Sequence, residues 1–434
     1  MTFKYIELFA GIGGFRSALD PLGGECVFAS EIDKYASQAY RTLYNGAPEL
    51  HGDITKIDAH DIPDHDVLVG GFPCQAFSVA GQRKGFEDAR GTLFFEIARI
   101  ASTKKPRLML LENVKGLLSH DGGRTFEIMC VILNDIGYAI DFRVLNSKHF
   151  GVPQNRERIF VACDRDAEHA EWDVTGSDVV AKAKRRAQAL GVRTFNFDWP
   201  ENIEVTTRLR DVLETQVDEK YYLSEEKTAK LIAQITEKNG DEPIVYGSLE
   251  HYGNDQMNRV YSVDGLAPTI TVVSGGGREQ EIAEPQIEKV GHLPSDSGQT
   301  GAVYSAEGIS PTLLNQHGNA VKMIVEPLTV FQKTTSWTTT VRYDETGTLQ
   351  AARLDKVPQV VTGPPRYRIR KLTPRECWRL QGFTDAQHDA VMNAGISDSQ
   401  RYKQAGNAVT VNVIRALGEH LILRLYKNIT EVAA

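Results

Sequence analysis

Residues 6–19 read IELFAGIGGFRSAL, and this stretch decides the fold. Its first residues are typical of a strand, Gly11, Gly13 and Gly14 indicate a tight turn, and the remaining residues predict the start of a helix. Glycines let the backbone come close to a ligand, and the N–H groups at a helix start favour a negatively charged group. The stretch therefore predicts a ligand-binding turn between a strand and a helix, although the turn alone does not specify the ligand.

Acidic residues follow at the ends of the next predicted strands. Glu31, in FASEID, comes about 20 residues after the turn, where an acidic side chain accepts hydrogen bonds from ribose hydroxyls. Asp53, in HGDIT, follows the next apolar rise. These residues indicate a cofactor that contains a nucleoside, and a nicotinamide cofactor remains open at this point.

Short apolar runs alternate with helical patterns up to about residue 165. Strands are predicted at YIELFA, CVFASEID, DVLVGGF, LMLLENV and RIFVACD, and segments such as GTLFFEIARIAS between them carry apolar residues at helical spacing. This alternation is typical of a parallel sheet that helices cover on both faces. The predicted fold class is α/β and Rossmann-like.

The composition limits the possible classes of protein. Of the 434 residues, 41% are hydrophobic and 24% are charged, as in soluble globular proteins. No stretch approaches the roughly 20 apolar residues that span a bilayer, and the first residues lack a signal-peptide pattern, so we expect a cytoplasmic protein with no membrane partner. The five cysteines form no CxxC pair and no cluster at zinc spacing, so we predict neither a disulfide framework nor a metal site.

One cysteine lies in GGFPCQAFS, residues 70–78. Pro73 fixes its own backbone angle and pushes Phe72 toward an extended shape, which ends a strand and places Cys74 in a loop. Free cysteines are often buried as small hydrophobic residues, but the surrounding glycines and polar residues are typical of a loop. We interpret Cys74 as a candidate nucleophile, with buried packing as the alternative.

Further charged residues stand at other strand ends. Glu112 follows the strand LMLLENV, where its carboxylate either caps the chain or belongs to a site. Arg156 and Arg158, in GVPQNRERIFVA, precede a strand and would share one face of an extended segment. A thiol, a carboxylate and arginines beside a nucleoside site suggest chemistry on an electron-poor ring. The thiolate would add to C6 of a pyrimidine while the acid engages N3, which makes C5 a carbon nucleophile.

After residue 200 the sequence becomes rich in threonine, glycine, valine and proline and predicts short strands and loops. VYSVDGLAPTI at 260–270 and VYSAEGISPTL at 303–313 repeat one another, and each runs into a polar loop. Arg278 and Gln316, in these loops, are of the types that contact guanine or adenine edges, with ordinary hairpin loops as the alternative. The net charge of −8 excludes a uniformly basic nucleic-acid binder but not local basic patches.

One such patch lies in PPRYRIRKLTPRECWRL. Arg366, Arg368 and Arg370 alternate with apolar residues, so on a strand they would project together and suit phosphate contacts. A solvated strand face is the alternative.

Nine blocks in order resemble bacterial DNA (cytosine-5)-methyltransferases. They are ELFAGIGGFR, SEID, GDIT, GGFPCQAFS, GTLFFEIARI, LENV, QNRERIFVA, KLTPRECWRLQGF and QAGNAVTVNV. They extend from residue 6 to about 414, interrupted by roughly 170 residues that match no shared motif. The resemblance implies a Rossmann-like S-adenosylmethionine-dependent methyltransferase domain with a smaller β-rich target recognition domain.

The resemblance also implies roles for single residues. Cys74 resembles the nucleophile that adds to C6, and Glu112 the group that contacts N3 and the exocyclic amine. Arg158 is similar to the arginine that contacts O2 of cytosine, with Arg156 as its partner in the same block. Thirteen positions match the surroundings of S-adenosyl-L-methionine: Phe9, Ala10, Gly11, Ile12, Gly13, Gly14, Glu31, Ile32, Asp53, Ile54, Pro73, Leu93 and Asn407.

The reactive carbon of cytosine lies inside the duplex stack, so the base must be flipped out of it. GQRKGFEDARGTLFF, after the thiol, has glycines that predict a hinged loop able to close over that base, and we expect DNA contacts from Ser78 and Gln82.

We predict a catalytic domain at 1–200, completed by 396–434, and a target recognition domain at 201–395. The expected activity is methylation of C5 in a flipped cytosine of a specific double-stranded DNA sequence, as the modification part of a restriction-modification system. We expect a monomer, with a cognate restriction endonuclease as a possible partner at the same site. The alternatives are a tRNA cytosine-5 methyltransferase, which has a different thiol context and a small variable region, and a catalytically silent DNA-binding regulator.

Overall fold

The computed structural model describes residues 2–72, 93–207, 209–222 and 367–432 and eight short strands between residues 245 and 340. Its contacts divide the chain into two units. The first comprises Met1–Thr207, Ser310–His317 and Pro374–Ala434, and the second comprises Arg208–Ile309 and Gly318–Thr373. Within the described residues no helix is long and apolar enough to cross a membrane.

A seven-stranded sheet forms the centre of the first unit. Its strands are β1 (Phe3–Leu8), β2 (Gly24–Ser30), β3 (Leu50–His51), β4 (Val67–Gly71), β5 (Leu108–Val114), β6 (Ala139–Asn146) and β8 (Glu157–Asp164). They are arranged in the order β3-β2-β1-β4-β5-β8-β6. A separate parallel pair joins β7 (Gln154–Asn155) to β13 (Ser310–Pro311).

The prediction of an entirely parallel sheet is wrong at β8, which runs antiparallel to both β5 and β6. The physical reason is the short connection between β6 and β8, which has no room for a crossover helix. The reversed direction brings the start of β8 to the edge where β5 ends, and Val114 there pairs with Arg158.

Nine described helices accompany these strands: α1 (Gly14–Leu19), α2 (Lys34–Leu43), α3 (Leu93–Lys104), α4 (Arg124–Asp135), α5 (Val179–Ala189), α6 (Pro374–Leu380), α7 (Asp385–Asn393), α8 (Asp398–Asn407) and α9 (Val411–Val432). Their starts follow ordinary capping chemistry. The Asp33 carboxylate accepts the N–H groups of Tyr35 and Ala36 at the start of α2, and Thr384 and Gln387 form a capping box at α7.

The core of the first unit consists of the two faces of the central strands and the apolar faces of the helices. Leu68, Met109 and Leu111 on neighbouring strands pack with Phe94 and Ile97 of α3, all of them at most 2% exposed. Strands buried on both faces carry near-continuous apolar runs, as VLVGG and LMLLENV do.

The first unit takes up residues 374–395, which the sequence had placed in the recognition domain. Trp378 of α6 is completely buried, and its indole N–H donates a 3.0 Å hydrogen bond to the carbonyl of Arg401 in α8. That bond and the shared burial tie α6 to α8 within one unit.

The described elements of the second unit are short strands and two short 3-10 turns, at Leu209–Val212 and Glu219–Tyr221. β11 (Lys289–His292), β12 (Ala302–Ser305), β14 (Met323–Pro327) and β17 (Tyr367–Lys371) form a four-stranded sheet. β9 (Val245–Ser248) pairs with β10 (Arg259–Tyr261), and β15 (Phe331–Thr334) pairs with β16 (Trp337–Thr340). The repeated Val-Tyr motif begins at Val260 in β10 and at Val303 in β12.

Candidate active site

The glycine turn after β1 has a strained backbone that only a few residue types tolerate. Phe9 and Gly11 have φ angles of +56° and +57°, and Gly13 has +81°. The Ala10 N–H donates a 2.9 Å hydrogen bond to the carbonyl of Ser30, which fixes the turn to the end of β2. A Cβ added to Gly11 would have no atom within 4 Å, so this part of the turn borders open space.

Glu31 closes the turn from the neighbouring strand. Its Oε2 accepts the N–H of Gly11 at 2.8 Å, and its Oε1 accepts the N–H of Asp33 at 2.7 Å. Burial raises the pKa of Glu31, whereas these two hydrogen bonds favour the charged form. Each carboxylate oxygen has a second lone pair, so the side chain can still accept hydrogen bonds from a ligand.

Ile32, next to Glu31, is 73% exposed, which is unusual for a large apolar side chain. An exposed isoleucine beside a carboxylate and an open glycine turn fits an adenosyl group, which has an apolar ring face and ribose hydroxyls. These residues could therefore hold S-adenosylmethionine.

The other predicted cofactor residues lie in varied settings. Asp53 accepts hydrogen bonds from the Thr55 hydroxyl at 2.7 Å and from the Thr55 N–H at 3.1 Å, and these two bonds lower its pKa. Ile54 is buried, with an exposure of 3%. Leu93 begins α3 and is half-buried, and Asn407 is the exposed last residue of α8.

Glu112 and Arg158 form an ion pair at the edge of the sheet. Arg158 Nε lies 3.0 Å from Glu112 Oε1, and their side chains are 15% and 10% exposed. Burial lowers the pKa of Arg158, and the negative charge of Glu112 opposes that shift. The pair is a carboxylate and a guanidinium fixed side by side, suited to the polar edge of a planar ring.

The end of β4 pairs with β5, the strand that carries Glu112. Gly71 is the register partner of Glu112, and a Cβ on Gly71 would lie 3.0 Å from Glu112 Oε2. The Asn113 amide Nδ2 donates a 2.9 Å hydrogen bond to the carbonyl of Phe72. Only Pro73 separates that carbonyl from Cys74 in the sequence.

Arg156 contacts main-chain atoms. Its Nη2 donates to the carbonyl of Ala408 at 2.8 Å, and both Nη1 and Nη2 lie 3.3 Å from the carbonyl of Gly406. The residue is 2% exposed. Burial and the neighbouring charge of Arg158 lower its pKa to about 9, which leaves the guanidinium charged at neutral pH.

Several predicted site residues lie outside the described part of the chain: Pro73, Cys74, Ser78, Gln82, Arg278, Gln316 and Arg366. Arg368 and Arg370 are in β17, where their register partners on β14 are Glu326 and Ile324. The structure thus brings together the glycine turn with Glu31, and Glu112 with Arg158.

Sequence reasoning missed three residues that shape the site. The Tyr44 hydroxyl donates a 2.7 Å hydrogen bond to the carbonyl of Gly13. Val409 borders both the turn and β4, because a Cβ on Gly14 would lie 2.5 Å from its Cγ2 and a Cβ on Gly71 would lie 3.5 Å from its Cγ1. Asn113 and Val409 were visible only as parts of the LENV and QAGNAVTVNV blocks, and no local pattern pointed to Tyr44.

Comparisons with known proteins agree with this geometry. A family model described as C-5 cytosine-specific DNA methylase matches residues 3–423. The orphan methyltransferase M.Rho11sI of Bacillus phage rho11s is 40% identical in an alignment that covers 96% of this chain and 97% of that protein. The type II methyltransferase M.HhaI of Haemophilus parahaemolyticus is 32% identical over 418 residues, which cover 96% and 94%.

Solved structures show the same fold at low sequence identity. The Dnmt2 methyltransferase of S. pombe superposes with a TM-score of 0.53 at 17% identity, covering 98% of this chain and 99% of that one. A DNMT2 variant of Spodoptera frugiperda has a TM-score of 0.54 at 18% identity, covering 97% and 100%.

Proposed function

The chain belongs to the C-5 cytosine-specific DNA methylases, and from that membership we propose which of its residues carry out the reaction. The protein transfers a methyl group from S-adenosylmethionine to C5 of cytosine in DNA. The residues proposed to touch the reacting base are Cys74, Glu112 and Arg158.

The Glu112–Arg158 ion pair is the observation that carries this assignment. A buried carboxylate and guanidinium 3.0 Å apart match the N3 edge and the O2 carbonyl of one cytosine. Protonation or hydrogen bonding at N3 draws electrons from the ring and makes C6 open to a nucleophile. The two side chains thereby hold the base and polarise it at once.

Cys74 is proposed as that nucleophile. Support comes from its place in the sequence after Phe72, whose carbonyl Asn113 fixes beside Glu112. The thiolate adds to C6, which makes C5 nucleophilic, and elimination of the thiolate after loss of the C5 proton restores the aromatic ring. S-adenosylmethionine supplies the electrophilic methyl group when it is bound.

Glu31, Ile32 and the glycine turn are proposed to hold the cofactor. The carboxylate would accept hydrogen bonds from the ribose, and the exposed Ile32 would pack on the adenine. Asp53, Ile54, Leu93, Asn407 and Pro73 complete the proposed surroundings on the strength of the matching blocks.

Methyl transfer from a tritiated cofactor to duplex DNA tests the nucleophile. Cys74→Ser should abolish transfer, and it should also prevent the covalent adduct that the wild type forms with 5-fluorocytosine DNA. The matched control is Cys130→Ala, because Cys130 is 1% exposed and burial raises the pKa of its thiol. Undiminished transfer by Cys74→Ser would remove the cysteine from the mechanism.

We further propose that the second unit reads the target sequence in double-stranded DNA, with contributions from Arg278, Arg366, Arg368 and Arg370. Gln316, in the segment Ser310–His317 that belongs to the first unit, is proposed to contribute as well, while Ser78 and Gln82 contact DNA near the thiol. The β-rich described elements of the second unit and the clustered arginines of the sequence support this proposal. Bisulfite sequencing of DNA treated with the wild type and with Arg368→Ala and Arg370→Ala variants would give the target and any change in it.

The names of the relatives bear on possible partners. Some are type II methyltransferases, whereas the phage relatives are called orphan methyltransferases. We propose a monomeric modification enzyme that a cognate endonuclease accompanies in hosts that encode one. Light scattering would give the oligomeric state, and DNA methylated by this protein should resist an endonuclease of the same specificity. A cytoplasmic location stays a prediction from the sequence.

A further inference from the structure

Side chains from other segments donate hydrogen bonds to the main-chain carbonyls at the end of α8 and in the turn that follows it. The last carbonyls of a helix lack partners within the helix and need other donors. The carbonyl of Ala405 accepts the Gln381 amide Nε2 at 2.7 Å, and the carbonyls of Gly406 and Ala408 accept the guanidinium of Arg156 at 3.3 and 2.8 Å. The carbonyls of Gly406 and Ala408 belong to the residues immediately before and after Asn407.

The chemistry of Arg156 suits this position. Its planar guanidinium carries several donors in a fixed fork, so one side chain reaches two carbonyls at once. The positive charge also lies at the C-terminal end of α8, where the helix dipole is negative. A lysine would keep the charge but lose the fork.

The turn itself connects the two halves of the site. Asn407 is exposed, whereas Gly406 and Ala408 on either side of it are buried. Val409 borders Gly14 of the glycine turn and Gly71 at the end of β4. Thr410 continues the bracing, since its hydroxyl donates to Gln381 Oε1 at 2.9 Å and lies 2.8 Å from Ser147 Oγ.

Arg156 is also adjacent to the base-binding pair. It precedes Arg158 by two residues, and both the positive charge of Arg158 and the negative charge of Glu112 act on it. The segment that positions the guanidinium of Arg158 against Glu112 therefore also positions the turn that bears Asn407.

We propose that Arg156 is a positioning residue that fixes Asn407, on the cofactor side of the site, to the strand that carries Arg158. The inference rests on the proposed function, because it takes Asn407 as a cofactor contact. In this proposal Arg156 acts on Asn407 through the main-chain carbonyls of Gly406 and Ala408. Loss of the fork should weaken binding of S-adenosylmethionine by a larger factor than it lowers methyl transfer at saturating cofactor.

Equilibrium binding of S-adenosylmethionine without DNA tests this role in a double-mutant cycle. Arg156→Lys and Asn407→Ala should each raise the Kd by about ten-fold, and the double variant should show little more than either single change. In Arg156→Lys, single-turnover transfer should fall by a larger factor at low cofactor concentration than at saturating cofactor. An unchanged Kd in Arg156→Lys, or fully additive effects in the double variant, would overturn the proposal.

Arg193→Lys is the matched control. Arg193 also braces two carbonyls, those of Gly137 at 3.3 Å and Ala167 at 2.9 Å, near the strand ends opposite to Glu112. Arg193→Lys should lower the melting temperature without changing the Kd for S-adenosylmethionine. If it raised the Kd as much as Arg156→Lys does, the effect of Arg156→Lys would be explained by general destabilisation, and the proposal would be overturned.

A second variant covers the case in which Arg156→Lys does not fold. Thr410→Val removes the hydroxyl that links the turn to Gln381 and Ser147, and it should raise the Kd in the same direction, about three-fold. No change in that variant would then overturn the proposal. The test of the proposed nucleophile is independent of this one. Cys74→Ser is tested by methyl transfer to DNA, whereas the role of Arg156 is tested by cofactor binding to the wild type and to Arg156→Lys without DNA.

Discussion

The side-chain amide of Asn113 donates a 2.9 Å hydrogen bond to the main-chain carbonyl of Phe72, and it thereby joins the strand of Glu112 to the segment that leads to Cys74. Asn113 is 3% exposed, and its Oδ1 also accepts the N–H of Val114 at 2.8 Å. One side chain thus fixes the approach to the proposed nucleophile relative to the proposed base-binding carboxylate.

Asn113→Ala should lower both stability and catalysis. The carbonyl of Phe72 and the N–H of Val114 lose their partner, which costs about 1–3 kcal/mol of unfolding free energy. Chemical denaturation measures that loss, and single-turnover transfer measures the accompanying fall in rate. Asn134→Ala is the control, because the Asn134 Oδ1 accepts the N–H of Arg193 at 2.8 Å away from the site. Equal rate losses in both variants would contradict a positioning role for Asn113.

Glu112→Gln should lower methyl transfer by about 10²–10⁴-fold, because the amide cannot supply the charge and proton exchange of the carboxylate. Cofactor affinity should not change, which equilibrium binding would check. Glu157→Gln is the neighbouring control: Glu157 pairs with Lys115 at 3.0 Å, and both side chains are over 40% exposed, so its loss should have little effect. A variant at Glu112 with normal transfer would exclude that residue from catalysis.

Gly14→Ala should weaken cofactor binding by displacing the glycine turn. The new Cβ would lie 2.5 Å from Val409 Cγ2 and 3.1 Å from the Val409 carbonyl, so the turn or Val409 must move. We expect the Kd for S-adenosylmethionine to rise about ten-fold or more. Adding Val409→Ala should restore part of the affinity, whereas Gly116→Ala, with no atom within 4 Å of its Cβ, should bind normally. Normal binding of S-adenosylmethionine by Gly14→Ala would contradict the expected clash between the new Cβ and Val409.

Glu7 should make stability fall as the pH rises. Burial raises the pKa of this carboxyl from its ordinary value of 4.5 to about 8, opposed by the charge of Arg16 and the hydrogen bond from the Tyr40 hydroxyl. The folded protein therefore binds more protons than the unfolded chain between these pH values. The stabilising contribution of protonated Glu7 to the free energy of unfolding is fully present below pH 4.5 and is lost as the pH rises through 8. The slope in this window is at most about 1.4 kcal/mol per pH unit.

Glu7→Gln should remove that dependence. Denaturation at pH 5 and pH 8 should show a smaller decrease in the variant than in the wild type, and the exposed Glu49→Gln should behave as the wild type does. Equal decreases in all three proteins would show that Glu7 ionises normally.

Lys184→Met should destabilise the first unit without altering catalysis. Lys184 Nζ lies 2.7 Å from Asp141 Oδ1, and the Asp141 side chain is 3% exposed. Removing one partner of a buried pair costs about 3–5 kcal/mol. Lys182→Met, at an exposed position on the same helix α5, is the control and should have almost no effect on the denaturation midpoint. A similarly small effect of Lys184→Met would show that buried Asp141 does not need Lys184 as an ion-pair partner.

Much of the fold followed from short-range patterns. Apolar runs marked β1, β2, β4, β5 and β8, because a strand buried on both faces is visible as a continuous apolar segment. The two-residue β3 was missed because it is too short to show a period. The strand β6 was missed although Ile140, Phe142 and Val144 alternate there with Asp141 and Arg143. The glycine turn and Glu31 were predicted together, and the 2.8 Å bond from the Gly11 N–H to Glu31 joins them.

The sequence by itself determined the chemistry of this protein, because the types and order of residues in the glycine turn, the cysteine loop and the LENV and QNRER blocks limit what reaction they can perform. Only the tertiary structure decided which of these residues meet. The reversal of β8 places Arg158 against Glu112, and it directs Arg156 to the carbonyls beside Asn407, about 250 residues away in the chain. Such contacts depend on strand direction and helix packing, which no local pattern of residues encodes.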